Sequence, residues 1–580
     1  MLTGFRQRGA LTVTSPLLVL LVFFLTVLLL DGARLYAKKR EMQAQANSAV
    51  TAAVDYIQAC SLTAPDIDII NTIARTGALE QGWDGQQNFS VYVGVVESDA
   101  QGVAAFRPVS RLEESNAVAV RYVRDEPISA LLPEKYFGSV QIQVSAAARK
   151  EVIATLSASP STAVVDGALL GGILGAALGD SSFRLDATSL DSLMNTTVLL
   201  GDLLQVVGVD SVTDLLGLDA DVLAGALKVV SGATGPLAEA LDGIVAAAGI
   251  STVQVSDVIK VVGDFGAPEN SGFPLYDAVI SLALNAIELQ QDGGALISLP
   301  VFIEDLNIPL IAEISGLALK VYVGRPPVVV IGPARQDSNG QWMTDFYAPD
   351  ISIELDANIR LLNVDLVVAT LNLADLTIPL GVHVGGGRGY LVGADCAAGT
   401  QENSVLLDVL IETSVARVVS GTVDPGTGVV SYQPINANVG TLKLLLIPLL
   451  NPALQITAGI DASIPSEVKT VELSPALRLD CDSDACQPAT YESPGGGLSE
   501  VDLTLDPLEV RLLGADLGGL LAPIKELIEN LLDDVVGSLA NAVINPLLQA
   551  LGLGLSGISV SATNAVQAPI HVLEGIDIQI

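Results

Sequence analysis

Histidine is nearly missing from this chain. His383 and His571 are the two present in 580 residues, and both lie in segments that alternate like strands. A metal centre or a Ser-His-Asp relay would have to be built around one of them, and a single strand histidine is more often packed or solvated than reactive. No His-Glu-x-x-His, Gly-x-Ser-x-Gly or Gly-x4-Gly-Lys-Ser/Thr pattern occurs; Gly554-Leu-Ser-Gly-Ile558 misses the second by one place. The expectation is a chain with no catalytic residues and no cofactor. Basic residues are scarce too, 28 Lys and Arg against 65 Asp and Glu. Six of them (Arg6, Arg8, Arg34, Lys38, Lys39, Arg40) and one acid (Asp31) fall in residues 1–40, so the remainder holds 22 basic and 64 acidic residues, a net of −42. Such a body repels polyphosphate, which excludes nucleic acid as a partner; its ordinary meaning is solubility.

What the chain does have is one long apolar run. Ala10 to Leu30 contains no charge. As a helix it reaches about 31 Å, which matches a hydrocarbon core of about 30 Å. A cleaved leader has a shorter apolar region of roughly 7–15 residues and a small-x-small cleavage site, whereas this run ends Asp31-Gly-Ala-Arg34. Leu11 to Leu30 therefore reads as a retained membrane anchor. Arg34 to Ile57 contains neither Gly nor Pro and is rich in helix formers, so the helix should continue out of the bilayer as a stalk. Tyr36, Lys38, Lys39 and Arg40 suit the headgroup layer.

The order Arg8-Gly9-Ala10, apolar helix, Asp31-Gly-Ala-Arg34-Leu35-Tyr36, then the Ala/Gln-rich Met42 to Ala53, resembles the N-terminus of TadG-like proteins of the tight-adherence (Flp) pilus assembly system. The likeness covers roughly the first 55 residues. Thr14 stands where related pilin-like members carry Glu, and Ala33 where the family usually has Gly. A second likeness follows Ala117 to Arg124, in Leu131-Leu-Pro-Glu-Lys-Tyr-Phe137 and the Ser/Ala-ending Gly138 to Ala148. The resemblance implies a bacterial inner-membrane protein with a short cytoplasmic N-terminus and a periplasmic body. It also implies pilus-assembly proteins as partners. Two basic residues before the span and four after it would, by themselves, point the body inward. The acidic body and its four cysteines favour export. Some TadG-like proteins carry an Asp-x-Ser-x-Ser metal site; Asp461-Ala-Ser-Ile-Pro465 and Asp350-Ile-Ser-Ile-Glu354 each differ by one residue, so that module is not expected.

Organisation along the chain predicts an α+β protein in four parts: anchor and stalk (1–60), a small α+β domain (61–158), a Leu/Ala/Gly-rich helical region (159–297) and a β-rich domain with C-terminal helices (298–580). Asn88 to Val95 and Ala117 to Arg124 alternate as strands, and Ile128 to Phe137 reads as a short helix. In the third part Thr188, Asp210 and Thr234 lead capped helices, with stops at Gly208, Gly217 and Gly249. Val164 to Leu178 is too interrupted for a second span and reads as a packed helix or loop. From Leu299 the period is two. Ile308 to Val323 is long enough for two strands or one strand bulged at Gly316; Asp337 to Gly340 reads as a turn, and an extended antiparallel sheet is expected. Two helices, Leu520 to Leu532 and Val535 to Leu551, precede the closing strands Ile558 to Ala562 and Ile570 to Leu573, with Pro546 kinking or breaking the second helix. The β-rich half could enclose a groove for an apolar, lipid-like ligand, the alternative to a purely structural role.

Three smaller features invite a chemical reading. Asp480, Asp482 and Asp484 alternate like the first ligands of a calcium loop, but Ala485 stands where the turn needs Gly and Tyr491 where a bidentate Glu belongs, so a solvated acidic turn is expected. His383-Val-Gly385-Gly-Gly-Arg-Gly389-Tyr leads into another strand-like segment, leaving no helix N-terminus for a phosphate. Of the four cysteines, Cys481 and Cys486 form the likelier local bridge, which would leave Cys60 to pair with Cys396; sequence alone allows all three pairings.

Overall fold

A computed structural model describes residues 10–62, 65–85, 88–98, 104–158, 167–180, 182–247, 249–263, 270–291, 295–299, 312–361, 364–366, 369–372, 376–397, 404–439, 441–444, 447–448, 454–475, 488–491, 509–512, 522–551, 553–554, 557–567, 570–576 and 578. Helix and strand share the chain almost equally, about 39% and 38%, and the sheets are built on antiparallel pairs. Anchor run and stalk are one helix, α1 (Ala10–Ala53). It is the one described helix long and apolar enough to cross a membrane.

α1 has two different halves. Leu17 to Phe24 and Leu28 to Leu30 present their side chains outward, 47 to 74% exposed. Met42, Ala46, Ala49, Val50 and Ala53 recur on one face and are fully buried. Against that face lie α2 (Ile67–Glu80) and a sheet of β1 (Asn88–Ser98), β2 (Ala104–Pro108), β3 (Ala117–Pro127) and β4 (Ser139–Arg149), of which β1, β3 and β4 contribute side chains to the contact. α2 comes so close at Gly77 that a Cβ there would sit 2.9 Å from both Ala52 Cβ and the Ser48 carbonyl oxygen. Ser48 Oγ donates to the Gly77 carbonyl at 2.9 Å. Trp83, Phe89 and Tyr122 stack at 4.6 and 5.6 Å between ring centres and close one end of this core. The stalk half of α1 is therefore the spine of the first folded unit.

Strand alternation sorts the sheet's two faces. Val118, Val120 and Tyr122 on β3, with Val144, Ala146 and Ala148 on β4, join the α1 core, while Ala117, Ala119 and Ala147 face the other way. That second face is covered by Leu573, Ile576 and Ile578, and the strand His571–Glu574 pairs antiparallel with β4 as the fifth member of the order β2-β1-β3-β4-(571–574). The end of the chain thus completes the unit that its beginning starts.

A second sheet runs Val430–Tyr432, Ala416–Val423, Leu376–Val384, Asp350–Leu361, Ala312–Arg325, Ile297–Leu299. Ala312–Arg325 is one strand with a register shift between Ile314 and Gly316, which resolves the two-or-one question in favour of the bulge. β5 (Val152–Ala158) enters a third sheet with Val560–Gln567 and Val329–Pro333, and there Val329–Pro333 pairs parallel with Ile259–Val261. Between these sheets and the short helices of residues 187–246 lies helix Leu275–Gln290, buried without interruption from Leu275 to Ile287. The run expected as a packed helix or loop is helix Gly167–Leu178, its described side chains almost all buried.

Several local expectations change. The helix expected over 128–137 shrinks to Glu134–Phe137, because Pro133 holds extended backbone in front of it. The helix assigned to Thr188 begins at Ala187 behind Asp186, whose side chain accepts from the Ser189 N–H at 2.7 Å. The two C-terminal helices are continuous from Ala522 to Ala550 through a π turn, Ala540–Ile544. Asn545 N–H bonds back to the Ala540 carbonyl, so the extra residue is absorbed just before Pro546, which has no N–H to give.

Candidate functional site

The sequence marks the end of α1 as the place where anchor meets body, and there the structure builds a buried joint. After Ala53 the chain tightens into 3-10 turns, Val54–Tyr56 and Gln58–Cys60. Cys60 is bonded to Cys396, and the Cys396 N–H donates to the Cys60 carbonyl at 3.3 Å. Gln58, 4% exposed, donates through Nε2 to the carbonyls of Val392 at 2.9 Å and Ala334 at 3.4 Å. Lys150 Nζ reaches Asp55 Oδ1 at 2.5 Å and the Ala397 carbonyl at 3.5 Å.

At the centre lies Glu151, in the turn between β4 and β5 and 1% exposed. Its Oε2 accepts from Arg149 and its Oε1 from Arg335 Nε at 2.8 Å and Asn116 Nδ2 at 3.4 Å. Burial by itself pushes this carboxyl up, but the guanidiniums of Arg335 and Arg149 outweigh it and hold it below the ordinary range. Asn116 then accepts through Oδ1 from the Val96 N–H at 2.9 Å, carrying the network into β1. Sequence reasoning named the two cysteines but not the triad: Arg149 and Glu151 are two residues apart in the chain, while Arg335 is 184 residues from Glu151.

A second feature is a cleft of about 450 Å³ between residues 252–260, helix Leu275–Gln290 and the strand Asp345–Tyr347. Lys260, Asp345, Tyr347, Asn285, Glu288 and Arg325 line it. Asp345 is held by Lys260 and by the Tyr347 hydroxyl, which donates to Oδ2 at 2.7 Å. Arg325 and Arg388 lie over the Tyr347 ring at 4.2 and 4.7 Å. The glycine cluster links the strand Leu376–Val384 to Arg388–Asp395 and backs this wall: a Cβ on Gly386 would fall 2.5 Å from the Ala348 carbonyl oxygen. The glycines thus permit close packing of chain segments, and the cleft wall mixes these polar groups with Val253, Leu289, Pro326 and Val328.

His383 Nδ1 lies 2.9 Å from Ser352 Oγ and 3.8 Å from Asp350 Oδ1. Both face the same ring nitrogen, and the serine hydroxyl donates to the Gly428 carbonyl at 2.6 Å, so these three do not line up as a proton relay. His571 sits exposed on the edge strand beside β4. Glu354 is paired with Lys320 at 2.6 Å and Asp461 with Arg417 at 2.9 Å. Among the described residues no three His, Cys, Asp or Glu side chains converge to hold a metal. Asp480, Cys481, Asp482, Asp484 and Cys486 lie outside the described residues.

Compared with known protein families, curated proteins and solved structures, the chain matches none.

Proposed function

We propose that this chain is a single-pass membrane protein whose acidic body stands outside the cytoplasm, serving as a non-enzymatic structural or accessory component of a Tad/Flp-type pilus assembly machine. The observation that carries the reading is α1. Its first half offers an apolar surface to its surroundings, and its second half is the core of the first folded unit, so anchor and body cannot part without unfolding that unit. The Cys60–Cys396 bond supports an oxidising compartment for the body. The buried joint supports a mechanical role, since it transmits force from the helix end into two sheets without a flexible linker. The assignment to the pilus system rests on the likeness of residues 8–55 and 117–148 to TadG-like chains.

Protease shaving of spheroplasts tests the topology: the body of the full chain is expected to be digested from outside while the N-terminal helix stays in the membrane fraction. Protection of the body in intact spheroplasts, or its release by carbonate, would overturn the reading. Crosslinking in cells followed by mass spectrometry tests the partner class, with pilus-assembly components expected among the adducts of the body.

A further inference from the structure

The loop from β3 to β4, residues 128–138, carries exposed apolar side chains: Ile128, Leu131, Tyr136 and Phe137 are 41, 66, 78 and 45% exposed. Its position along α1 is set by three contacts. The Ala130 N–H donates to Asp31 Oδ1 at 3.0 Å, Arg34 donates to the Pro127 carbonyl, and Arg34 pairs with Glu126 at 3.3 Å. Asp31 is the residue at which the apolar run ends. Val27, one turn deeper on the same face of the helix, is 5% exposed, while Leu25, Leu28 and Leu29 beside it are 53 to 74% exposed. The body therefore reaches the depth of the last turn of the span, and it does so with Leu131, Tyr136 and Phe137 facing outward. Tyr36 lies just above on α1, 65% exposed, with Lys39 and Arg40 also exposed, as suits a headgroup layer.

We infer that the 128–138 loop is a second membrane contact, its apolar side chains set into the lipid interface beside the helix. The occupant of this patch is the bilayer in which α1 sits, because the hydrogen bonds to Asp31 and Arg34 place the loop where that bilayer's surface must lie. This rests on the reading of α1 as a membrane span. One helix leaves a body free to swivel about its axis; a helix and a loop contact together hold it at one height and tilt. Aromatic and aliphatic groups at this depth lose water contact without crossing the hydrocarbon core.

The test uses the full chain carrying Tyr136→Trp, reconstituted into phosphatidylethanolamine/phosphatidylglycerol vesicles with and without brominated acyl chains. The parent, with Trp83 and Trp342, gives the background. Brominated lipid is expected to quench roughly half of the added emission, as for an indole some 5–10 Å into the headgroup and acyl boundary. A chain that floats with the vesicles but shows unquenched, water-like added emission overturns the loop contact and leaves the anchor standing. A chain that does not float overturns the anchor, and the loop contact with it.

Discussion

Cys60 and Cys396, 336 residues apart in the chain, are bonded with their Cα atoms 4.7 Å apart, and this pair ties the turns that follow α1 to the rim of the β-rich body. The same few residues hold the buried Glu151 triad and the Gln58 bridge, so covalent and ionic fastening coincide at one place.

Removing the disulfide is expected to destabilise the chain. Cys60→Ala with Cys396→Ala closes no loop in the unfolded state, and the loss should be about 2–4 kcal/mol. Thermal unfolding of the purified full chain in detergent, oxidised against reduced and against the double variant, measures it. Equal midpoints for all three would show that the ionic joint suffices.

Removing the charge of Glu151 takes away the buried carboxylate that Arg149 and Arg335 share. Glu151→Gln is expected to lower stability by about 3–5 kcal/mol, the range for breaking a buried pair. The pH dependence has a definite sign. A carboxyl held below its ordinary value of about 4.5 stabilises the fold at neutral pH, and that contribution is lost as pH falls through the folded value. The gap in unfolding midpoint between parent and variant should therefore be constant above about pH 5 and shrink below about pH 4.5, read by denaturant titration at each pH.

Two helical glycines should respond with opposite signs. At Gly77 the nearest atoms to a new Cβ are 2.9 Å away and one is backbone, so Gly77→Val is expected to cost about 1–3 kcal/mol by forcing α2 off α1. Gly225, in helix Ala220–Val230, has nothing within 4 Å. Gly225→Ala is expected to add about 0.5–1 kcal/mol through helix propensity alone. Chemical denaturation of both variants separates packing from backbone entropy.

Charges in the apolar half of α1 should abolish membrane retention without touching the body. Leu20 and Phe23 are 57% exposed, so Leu20→Arg with Phe23→Arg removes no protein packing. Each charge near mid-bilayer costs about 2.5–3.5 kcal/mol on insertion. The double variant is expected in the carbonate supernatant and the parent in the pellet.

Reading these elements against the chain shows which signals are local. The continuity of span and stalk was legible because the uncharged run is followed, from Arg34 to Ala53, by helix formers without Gly or Pro. β1 and β3 were legible from their alternation, since one face of each meets α1 and the other does not. The helix expected over 128–137 was overestimated because Pro133 acts on the residues before it. Pro546 was read as kinking or breaking the second helix; a five-residue π turn, Ala540–Ile544, on its N-terminal side lets the helix pass.

The amino-acid sequence by itself determined the membrane-length helix, its continuation past Asp31, the acidic body and the mixed helix and strand content, because each is written in runs and periods a few residues long. Which cysteine meets Cys60, that Arg335 reaches Glu151, and that His571–Glu574 completes the sheet begun at Asn88 were decided by tertiary structure alone. Those partners stand 184 to more than 400 residues apart, and only the burial of complementary faces against one another selects them from the many pairings that local pattern permits.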